Sequence, residues 1–380
     1  MASSCRPLAP LALIAVLALA SASACAPQRP RTPLTSGAVA LLVDAQRSGI
    51  PIHDPSVMDA DMRRAMDDEV GRGGSPRERI ERLRRWLHDG DRAFVHDPSL
   101  TVDARTSFRE RRGGCMAHAI LFVTLARHLG VEAYYVHALT AREFAERGEG
   151  LVAMTHVAIG YEDASVDRVV DIWIPVDDWR LVRYERIDDT SALALYYSNL
   201  AVEEMRNGHL AAAERLLRFL SSRAKDVAET RSNLAAVLVR QKRFAEALVV
   251  VREAVKQFPS FKPLYTNGYL AAVGAGDEAQ AEELAARGRE IIDDDPIFLV
   301  ARGVSDYERG RFAQAARSFE RARSDKSDSV VIHAWLVRAY VAAGDARNGA
   351  QAFKRAWILA PNDPRLARLA EEHPELKPAR

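Results

Sequence analysis

The sequence has little cysteine, no excess of either charge and few aromatic residues. It holds 3 cysteines in 380 residues, 53 lysines and arginines against 52 aspartates and glutamates, and 7% aromatic residues. No cluster of basic residues interleaved with aromatic ones occurs, which argues against a nucleic-acid-binding surface. Hydrophobic and charged residues, at 48% and 28%, have the proportions of ordinary globular proteins. The composition therefore excludes a disordered, collagen-like or integral membrane protein, and the length predicts two folded units.

The first 25 residues differ from this average. An apolar run over 8–20 is followed by small residues at 22–24 and then by Cys25. The run is too short for a membrane-spanning helix and has the form of a secretory signal peptide. Small residues directly before a cysteine resemble a bacterial lipobox, although Ala22 stands where leucine is commoner. We therefore predict a lipoprotein signal peptide over 1–24 and lipidation of Cys25, the alternative being an ordinary signal peptide with Cys25 incidental.

Cleavage and lipidation leave one thiol to explain. Cys5 departs with the signal peptide and Cys25 carries lipid, so Cys115 is the thiol that remains. In an exported protein a single thiol has no intramolecular disulfide to form, and it is either a small buried hydrophobe or a reactive group. Closely spaced prolines at 25–36 predict an extended tether. Helical patterns at 37–47 and 76–87 then begin the folded part of the chain.

Cys115 begins a stretch that we interpret as a buried helix. Gly113 and Gly114 precede it, and residues 116–129 are apolar on nearly every side until Gly130 ends the pattern. Cys115 thus lies in the first turn, where backbone N–H groups and the positive end of the helix dipole stabilise a thiolate and can face an oxyanion. The two glycines are expected to let a substrate approach the backbone closely.

Two strand-like segments downstream carry groups that could act with this thiol. Alternation over 154–161 places His156 on one face of a strand, and alternation over 168–176 does the same for Asp171, with a turn between them. If the strands pair as a hairpin, His156 and Asp171 can lie side by side. His156 would then take the thiol proton and Asp171 would orient the imidazole. Cys115, His156 and Asp171 are therefore a predicted catalytic triad.

The residues around the thiol resemble the core motif of the transglutaminase-like superfamily. The similarity covers roughly residues 75–180. The matching segments are Gly114-Cys115, Ala-Ile-Leu-Phe at 119–122, Leu-Ala-Arg-His-Leu-Gly-Val-Glu-Ala at 125–133, His156 and Asp171. The resemblance implies a papain-like α+β fold in which the cysteine helix packs on an antiparallel sheet that bears the histidine and the aspartate. It also implies cleavage, cross-linking or deamidation of amide bonds through a thioester.

Some features depart from that family or leave alternatives open. Ala158 stands two residues after His156, where many members have an aromatic residue. No upstream side chain can be assigned as an oxyanion donor, and no acidic cluster near the triad predicts a calcium site, so neither a metal nor a cofactor is expected. A zinc interpretation of Cys115 with His118 lacks a second Cys/His pair. Three further histidines are interpreted as structural or exposed: His118, His128 and His137.

From residue 194 the sequence repeats with a period of 34 residues. Its marker is a turn position occupied by Gly208, Lys242, Gly276, Gly310 and Gly344, and small residues recur five positions after each of these. This spacing resembles the tetratricopeptide repeat, in five degenerate copies over 194–363. Stacked copies predict a superhelix with a concave groove. The third copy departs most, with Glu278 at an aromatic position and Gly288 inside a helix, and 364–380 should form a capping helix and tail.

Together these features predict an α+β papain-like or transglutaminase-like domain at 37–190, followed by an all-α repeat solenoid. We expect a cysteine hydrolase or acyltransferase acting on peptide or carboxamide bonds, with a protein or peptide bound in the repeat groove. Each triad residue could instead be structural: Cys115 as a packed core thiol, His156 as a strand histidine bonded to the backbone, and Asp171 as an acid in a turn or at a sheet edge. Two other functions stay open: a non-catalytic scaffold lipoprotein that works through its repeats, and removal of amide-linked sugars. The protein is expected to be exported and anchored by lipid alone, at the outer membrane facing the periplasm.

Overall fold

The structure, a computed structural model, describes most of the chain beyond the predicted tether. The described residues are 34–91, 93–147, 150–171, 184–288 and 294–376, and all of them belong to one compact unit. The predicted signal peptide, Cys25 and most of the tether lie outside these ranges. Within them, no helix combines the length and the apolarity that crossing a bilayer requires.

Helices dominate the part of the chain that precedes the cysteine. They are α1 (Ser36–Arg47), α2 (Ala60–Ala65), which continues as a π-helical turn (Met66–Val70), α3 (Pro76–His88) and α4 (Ala104–Glu110). The start of α3 shows why the sequence is helical here. The Ser75 side chain accepts from the Glu78 backbone, the Glu78 side chain accepts from Ser75 in return, and proline occupies the first turn. The predicted helices at 37–47 and 76–87 correspond to α1 and α3.

The cysteine helix, α5 (Cys115–His128), is buried along almost its whole length. Its chain turns away at Gly130, which adopts a left-handed conformation with φ of +78°. The apolar side chains of α5 share one core with Val157, Ile159 and Tyr161 of the neighbouring sheet. A helix that is apolar all round needs cover on every side. This is the buried central helix that the sequence predicts.

That sheet has four antiparallel strands in the order β5-β4-β3-β6. The strands are β3 (Ala133–Arg147), β4 (Gly150–Asp163), β5 (Val166–Val170) and β6 (Tyr184–Ile187). Two short parallel strands, β1 (Val95–His96) and β2 (Arg112–Gly113), lie ahead of α5. The predicted hairpin is present as β4 and β5. Its second strand, β5, ends at Val170, one residue before Asp171, and the part of the prediction over 172–176 lies outside the described residues.

Paired helices make up the described part of the repeat region. They are α6 (Asp189–Arg206), α7 (Leu210–Arg223), α8 (Ala228–Arg240), α9 (Phe244–Gln257), α10 (Lys262–Gly274), α11 (Glu278–Arg287), α12 (Pro296–Glu308), α13 (Phe312–Asp325), α14 (Val330–Ala342) and α15 (Ala346–Leu359), with α16 (Pro364–Glu372) after them. All five predicted turn positions have positive φ, including Lys242 at +62°. Glycine is favoured at this position because a left-handed residue carries a steric cost when it has a side chain.

One detail of the third repeat differs from the prediction. Gly288 was expected inside a helix, but it is the C-cap residue of α11. The helix ends there at ten residues, shorter than its counterparts in the other repeats. Glycine costs more conformational entropy in a helix interior than at a helix end, which is consistent with this placement.

The first repeat shares its core with the α+β domain. Buried residues of α6, and Phe219 and Leu220 of α7, belong to the same apolar cluster as α5 and the sheet. A buried ion pair crosses this junction: Arg127 Nη2 lies 2.8 Å from Asp189 Oδ1, and Asp189 is 3% exposed. The second oxygen of that carboxylate accepts from the Thr35 backbone at 2.8 Å. The two parts of the chain are therefore packed as one body at their junction.

Replacing Asp189 with alanine should lower the free energy of unfolding by about 3 kcal/mol, because Arg127 would lose its carboxylate in a buried setting. Urea denaturation followed by circular dichroism measures this. The matched control is Asp44→Ala, which breaks the exposed Asp44–Arg223 pair between α1 and α7 (3.0 Å) and should cost less than about 1 kcal/mol. Equal losses in both variants would contradict the importance of the junction pair.

Candidate active site

Cys115 occupies the first position of α5, with Gly114 as the N-cap. The thiol residue is 4% exposed. The first amides of a helix have no acceptor within the helix, and together with the dipole they favour negative charge at this end. The position predicted for Cys115, in the first turn of a buried helix, is therefore the one observed.

The two glycines before Cys115 lie close to neighbouring parts of the protein. A Cβ at Gly114 would lie 3.2 Å from the carbonyl oxygens of Asp97 and Leu100, and one at Gly113 would lie 2.8 Å from Ala117 Cβ. The Gly114 amide also donates to Leu100 O at 2.8 Å. Side chains at these two positions would therefore collide with neighbouring parts of the protein, which gives a packing reason for the glycines; the expectation that they let substrate approach the backbone stays a prediction.

His156 and Asp171 form a short hydrogen bond, with His156 Nε2 2.7 Å from Asp171 Oδ2. The histidine is 1% exposed. Cys115 lies near enough to the imidazole to act on its charge. The structure thus pairs His156 with Asp171, as predicted, and places Cys115 in their neighbourhood.

The strand register explains how the imidazole and the carboxylate meet. Ile159 pairs with Val170 and Gly160 with Val169. Asp171 therefore follows at the level of Ala158, two residues from His156, and the two side chains are diagonal neighbours across the hairpin. On its other side, β4 loses regular register with β3 between Ala138 and Arg142, next to His156. Such irregularities often re-aim a side chain beside a functional site.

The surroundings of His156 favour its protonated form. Burial by itself lowers the pKa of this imidazole, but the hydrogen bonds and charges of Asp171 and Cys115 outweigh burial and raise the pKa to about 10. At neutral pH the imidazolium is therefore the stable form, placed between a carboxylate and a thiol. A thiolate next to an imidazolium is the reactive arrangement of cysteine nucleophiles.

Tyr184 is a contact of the triad that sequence reasoning missed. Its hydroxyl donates to Asp171 Oδ2 at 3.2 Å. Burial, and then the charge of Asp171, raise the pKa of this phenol, so the hydroxyl remains a donor at physiological pH. No pattern in the sequence points to it, because Tyr184 is brought to Asp171 by a strand that pairs at the opposite edge of the sheet.

Two further histidines lie together close to the triad. His118, one turn after Cys115, has its Nε2 3.1 Å from Nε2 of His88. Burial lowers the pKa of His88 to about 4. Burial and the neighbouring histidines His88, His96 and His156 lower the pKa of His118 well below its usual value. Both rings are neutral at pH 7, and one can donate to the other.

The described residues offer no support for the zinc interpretation of Cys115 with His118. Within those ranges, no group of three or more histidine, cysteine, aspartate or glutamate residues is arranged to hold a metal ion. His128 contacts Asp67 at 3.0 Å, and His137 lies 3.8 Å from Glu229. These contacts agree with the structural interpretation of the additional histidines.

The fold and the site together define a class of protein. It has a cysteine at the start of a buried helix, a histidine and an aspartate on an antiparallel sheet, and a helical repeat region joined to that domain. Comparison with protein families agrees with this description. Residues 64–178 match the model of the transglutaminase-like superfamily, and residues 199–260 and 306–372 match tetratricopeptide repeat models. The chain therefore contains a transglutaminase-like core domain followed by tetratricopeptide repeats.

Solved structures with a similar repeat region include three with low sequence identity. A thermophilic repeat protein of Thermus thermophilus is 20% identical, with a TM-score of 0.40 over 46% of this chain and 94% of that one. MamA of Desulfovibrio magneticus RS-1 is 15% identical, with a TM-score of 0.35 over 46% and 98%. YrrB, a repeat protein with an unusual peptide-binding site, is 14% identical, with a TM-score of 0.32 over 47% and 92%. No curated protein matches the chain.

The neutral histidine pair should make the protein sensitive to acid. The pKa of each ring is lower in the folded than in the unfolded state, so below about pH 6.5 the unfolded chain binds more protons and stability falls with pH. In His118→Gln the slope of unfolding free energy between pH 6.5 and 4.5 should be shallower, by at most about 1.4 kcal/mol per pH unit.

Urea denaturation across this pH range measures the slope. His209→Gln, which removes a histidine with an exposed side chain, is the control and should retain the wild-type slope. If His118→Gln showed the same pH dependence as the wild type, the buried pair would not be a source of acid sensitivity.

Proposed function

We propose that this protein is a cysteine hydrolase or acyltransferase that acts on peptide or carboxamide bonds through a thioester on Cys115. The observation that carries this proposal is the position of His156, whose Nε2 is 2.7 Å from Asp171 Oδ2 and whose pKa is raised by both Asp171 and Cys115. Cys115, His156 and Asp171 are far apart in sequence, and the stability of the fold by itself does not require them to lie near one another. Their arrangement is the one that nucleophilic catalysis by a thiol requires.

The proposed acylation step begins with a Cys115 thiolate beside the His156 imidazolium. The Cys115 thiolate attacks the carbonyl carbon of the amide, a C–S bond forms, and the negative charge moves to the carbonyl oxygen. In the proposed step, backbone N–H groups at the start of α5 donate hydrogen bonds to that oxygen. When the C–N bond breaks, the leaving nitrogen takes the proton of the His156 imidazolium and departs as an amine or ammonia.

The thioester is then resolved by a second nucleophile. Water is the default acceptor: it attacks the thioester carbon and gives a proton to His156, and the C–S bond breaks to restore the thiolate. An amine in place of water would make the same site a transferase. Asp171 keeps the imidazole oriented in both steps, because its hydrogen bond to Nε2 leaves Nδ1 for the thiol and the leaving group.

The repeats supply the second part of the proposed function, which is binding of a protein or peptide. Arrays of this kind bury their apolar faces only against neighbouring repeats and use their extended surface for partners. Support for a link to the site comes from the common apolar core of the first repeat and the α+β domain. A partner held on the repeats would therefore keep a defined position relative to Cys115. We propose that the repeats bind the substrate protein or a protein that delivers it.

The alternative function is that of a scaffold that binds proteins through the repeats and has lost catalysis. It is favoured by the absence of an assigned side-chain donor for the oxyanion. The charged environment of His156 argues against the scaffold, because a catalytically inactive site does not need a buried imidazolium close to a thiol. The reactivity of Cys115 separates the two functions.

Cys115 should react with iodoacetamide at pH 6 at least about tenfold faster than an ordinary thiol, since the proposed mechanism pairs its thiolate with the His156 imidazolium. The rate is measured on the purified full-length protein by mass spectrometry of the tryptic peptide spanning 113–127, which contains Cys115 as its single cysteine. In His156→Ala the advantage at pH 6 should disappear, while the rates at pH 10 should converge because ordinary thiols are then ionised.

His137→Ala is the matched control, since it removes another histidine of the same sheet that is not a partner of Cys115, and its profile should follow the wild type. Ordinary thiol behaviour in both the wild type and His156→Ala would favour the scaffold.

We also propose that the protein is exported and held at the outer membrane, facing the periplasm, by lipid on Cys25. Small residues directly before Cys25 and the apolar run ahead of them support this. In a Gram-negative host, Cys25→Ser should move the protein from the membrane fraction to the soluble fraction, whereas Cys5→Ser should leave it in the membrane. Fractionation followed by immunoblotting measures the distribution, and an unchanged distribution for Cys25→Ser would rule out the anchor.

A further inference from the structure

We propose that Tyr184 is a positioning residue of the triad, which holds the Asp171 carboxylate in the orientation that His156 needs. The inference rests on the proposed function and adds a fourth residue to its site. Its basis is a single carboxylate oxygen: Oδ2 of Asp171 accepts from His156 Nε2 at 2.7 Å and from Tyr184 Oη at 3.2 Å. Two donors from different strands restrict the direction of this oxygen more than the His156 donor does by itself.

The sheet shows why a residue so far along the chain reaches this oxygen. Tyr184 is the first residue of β6, where it pairs with Ala138 of β3, and Ala138 pairs with His156 of β4. Asp171 comes from the other side, directly after β5. The Tyr184 side chain therefore extends from β6 past the small residue Ala138. Its hydroxyl contacts the Asp171 carboxylate, which follows β5 at the opposite edge of the sheet.

The ring of Tyr184 has packing that fixes its direction. It lies against the buried cluster of Tyr134, Val136 and Ala158. A tyrosine placed by its apolar body can aim its hydroxyl with little loss of rotamer entropy. The sheet thus fixes the orientation of the Tyr184 ring. The hydrogen bond from its hydroxyl in turn restricts the orientation of the Asp171 carboxylate.

The charged groups around this contact are consistent with a positioning role. Asp171 contacts both His156 and Tyr184, while Cys115 and His118, both on α5, act on the charge of the His156 imidazole. Tyr184 adds a neutral donor to this group. It strengthens the placement of the carboxylate without adding a competing charge.

The same strand leads directly into the repeats. After β6 ends at Ile187, the Asp188 side chain caps α6 by accepting from the Ser191 backbone at 2.7 Å. The next residue, Asp189, pairs with Arg127 of the cysteine helix. The segment that starts the first repeat is therefore held both to the triad acid and to the helix that bears the thiol.

The test is Tyr184→Phe in the full-length protein, which removes one hydroxyl and keeps the ring. The matched control is Tyr134→Phe, because Tyr134 is in the same sheet and its hydroxyl donates to a different carboxylate, Asp167 Oδ1, at 2.6 Å. Alkylation of Cys115 at pH 6 should slow by about tenfold in Tyr184→Phe, the effect expected from one hydrogen bond to a charged group. It should match the wild type in Tyr134→Phe.

Two further comparisons separate positioning from a structural effect. At pH 10 the Tyr184→Phe and wild-type rates should coincide, because an ordinary thiol is ionised there without help from a base. In the Asp171→Asn background, Tyr184→Phe should cause no further loss, since a residue that acts through Asp171 has nothing left to position. A Tyr184→Phe profile that overlays the wild type, a full additional loss in Asp171→Asn, or an equal loss in Tyr134→Phe would overturn the inference.

A separate readout keeps this result apart from failure of the proposed function. If the wild-type thiol behaves as an ordinary one and His156→Ala changes nothing, catalysis fails whatever Tyr184 does. In that case NMR titration of the His156 ring still tests the contact. Its midpoint should fall in Tyr184→Phe and stay unchanged in Tyr134→Phe, and an unmoved midpoint in Tyr184→Phe would overturn the inference.

Discussion

The hydrogen bond between His156 and Asp171 is the interaction on which the candidate site depends. An imidazole with 1% exposure would lose its proton to burial alone. The Asp171 carboxylate at 2.7 Å and the nearby Cys115 reverse that tendency, and the charged form becomes the stable one. The rest of the site follows from this reversal: an imidazolium can pair with a thiolate, and a thiolate at the start of a helix is a nucleophile.

His88 and His118 show the opposite outcome in nearby surroundings. His118 is buried and His88 is half-buried, their rings contact each other, and burial lowers the pKa of both. Burial also lowers the pKa of His156, so the hydrogen bond with Asp171 and the charges of Asp171 and Cys115 account for its opposite shift. This contrast supports the proposed role of His156.

Much of the site could be predicted from local sequence. The thiol in the first turn of α5, the hairpin of β4 and β5, and the meeting of His156 with Asp171 all follow from periodicity and turn residues. The packing role of Gly114 was not predicted, because the carbonyl groups of Asp97 and Leu100 come close to it only in the folded protein. Tyr184 escaped prediction for the same reason, as its partner stands on a strand at the other edge of the sheet.

The amino-acid sequence by itself determined those features that depend on residues close together in the chain. Residues with left-handed backbone every 34 positions set the repeats, and an apolar segment that ends at Gly130 set the cysteine helix. Folding of the whole chain was needed to establish that the first repeat shares a core with the α+β domain, that Arg127 and Asp189 join them, and that Asp171 sits between two donors. The difference arises because periodicity and capping act within a few residues, whereas shared cores, buried ion pairs and diagonal side-chain contacts depend on segments that only folding brings together.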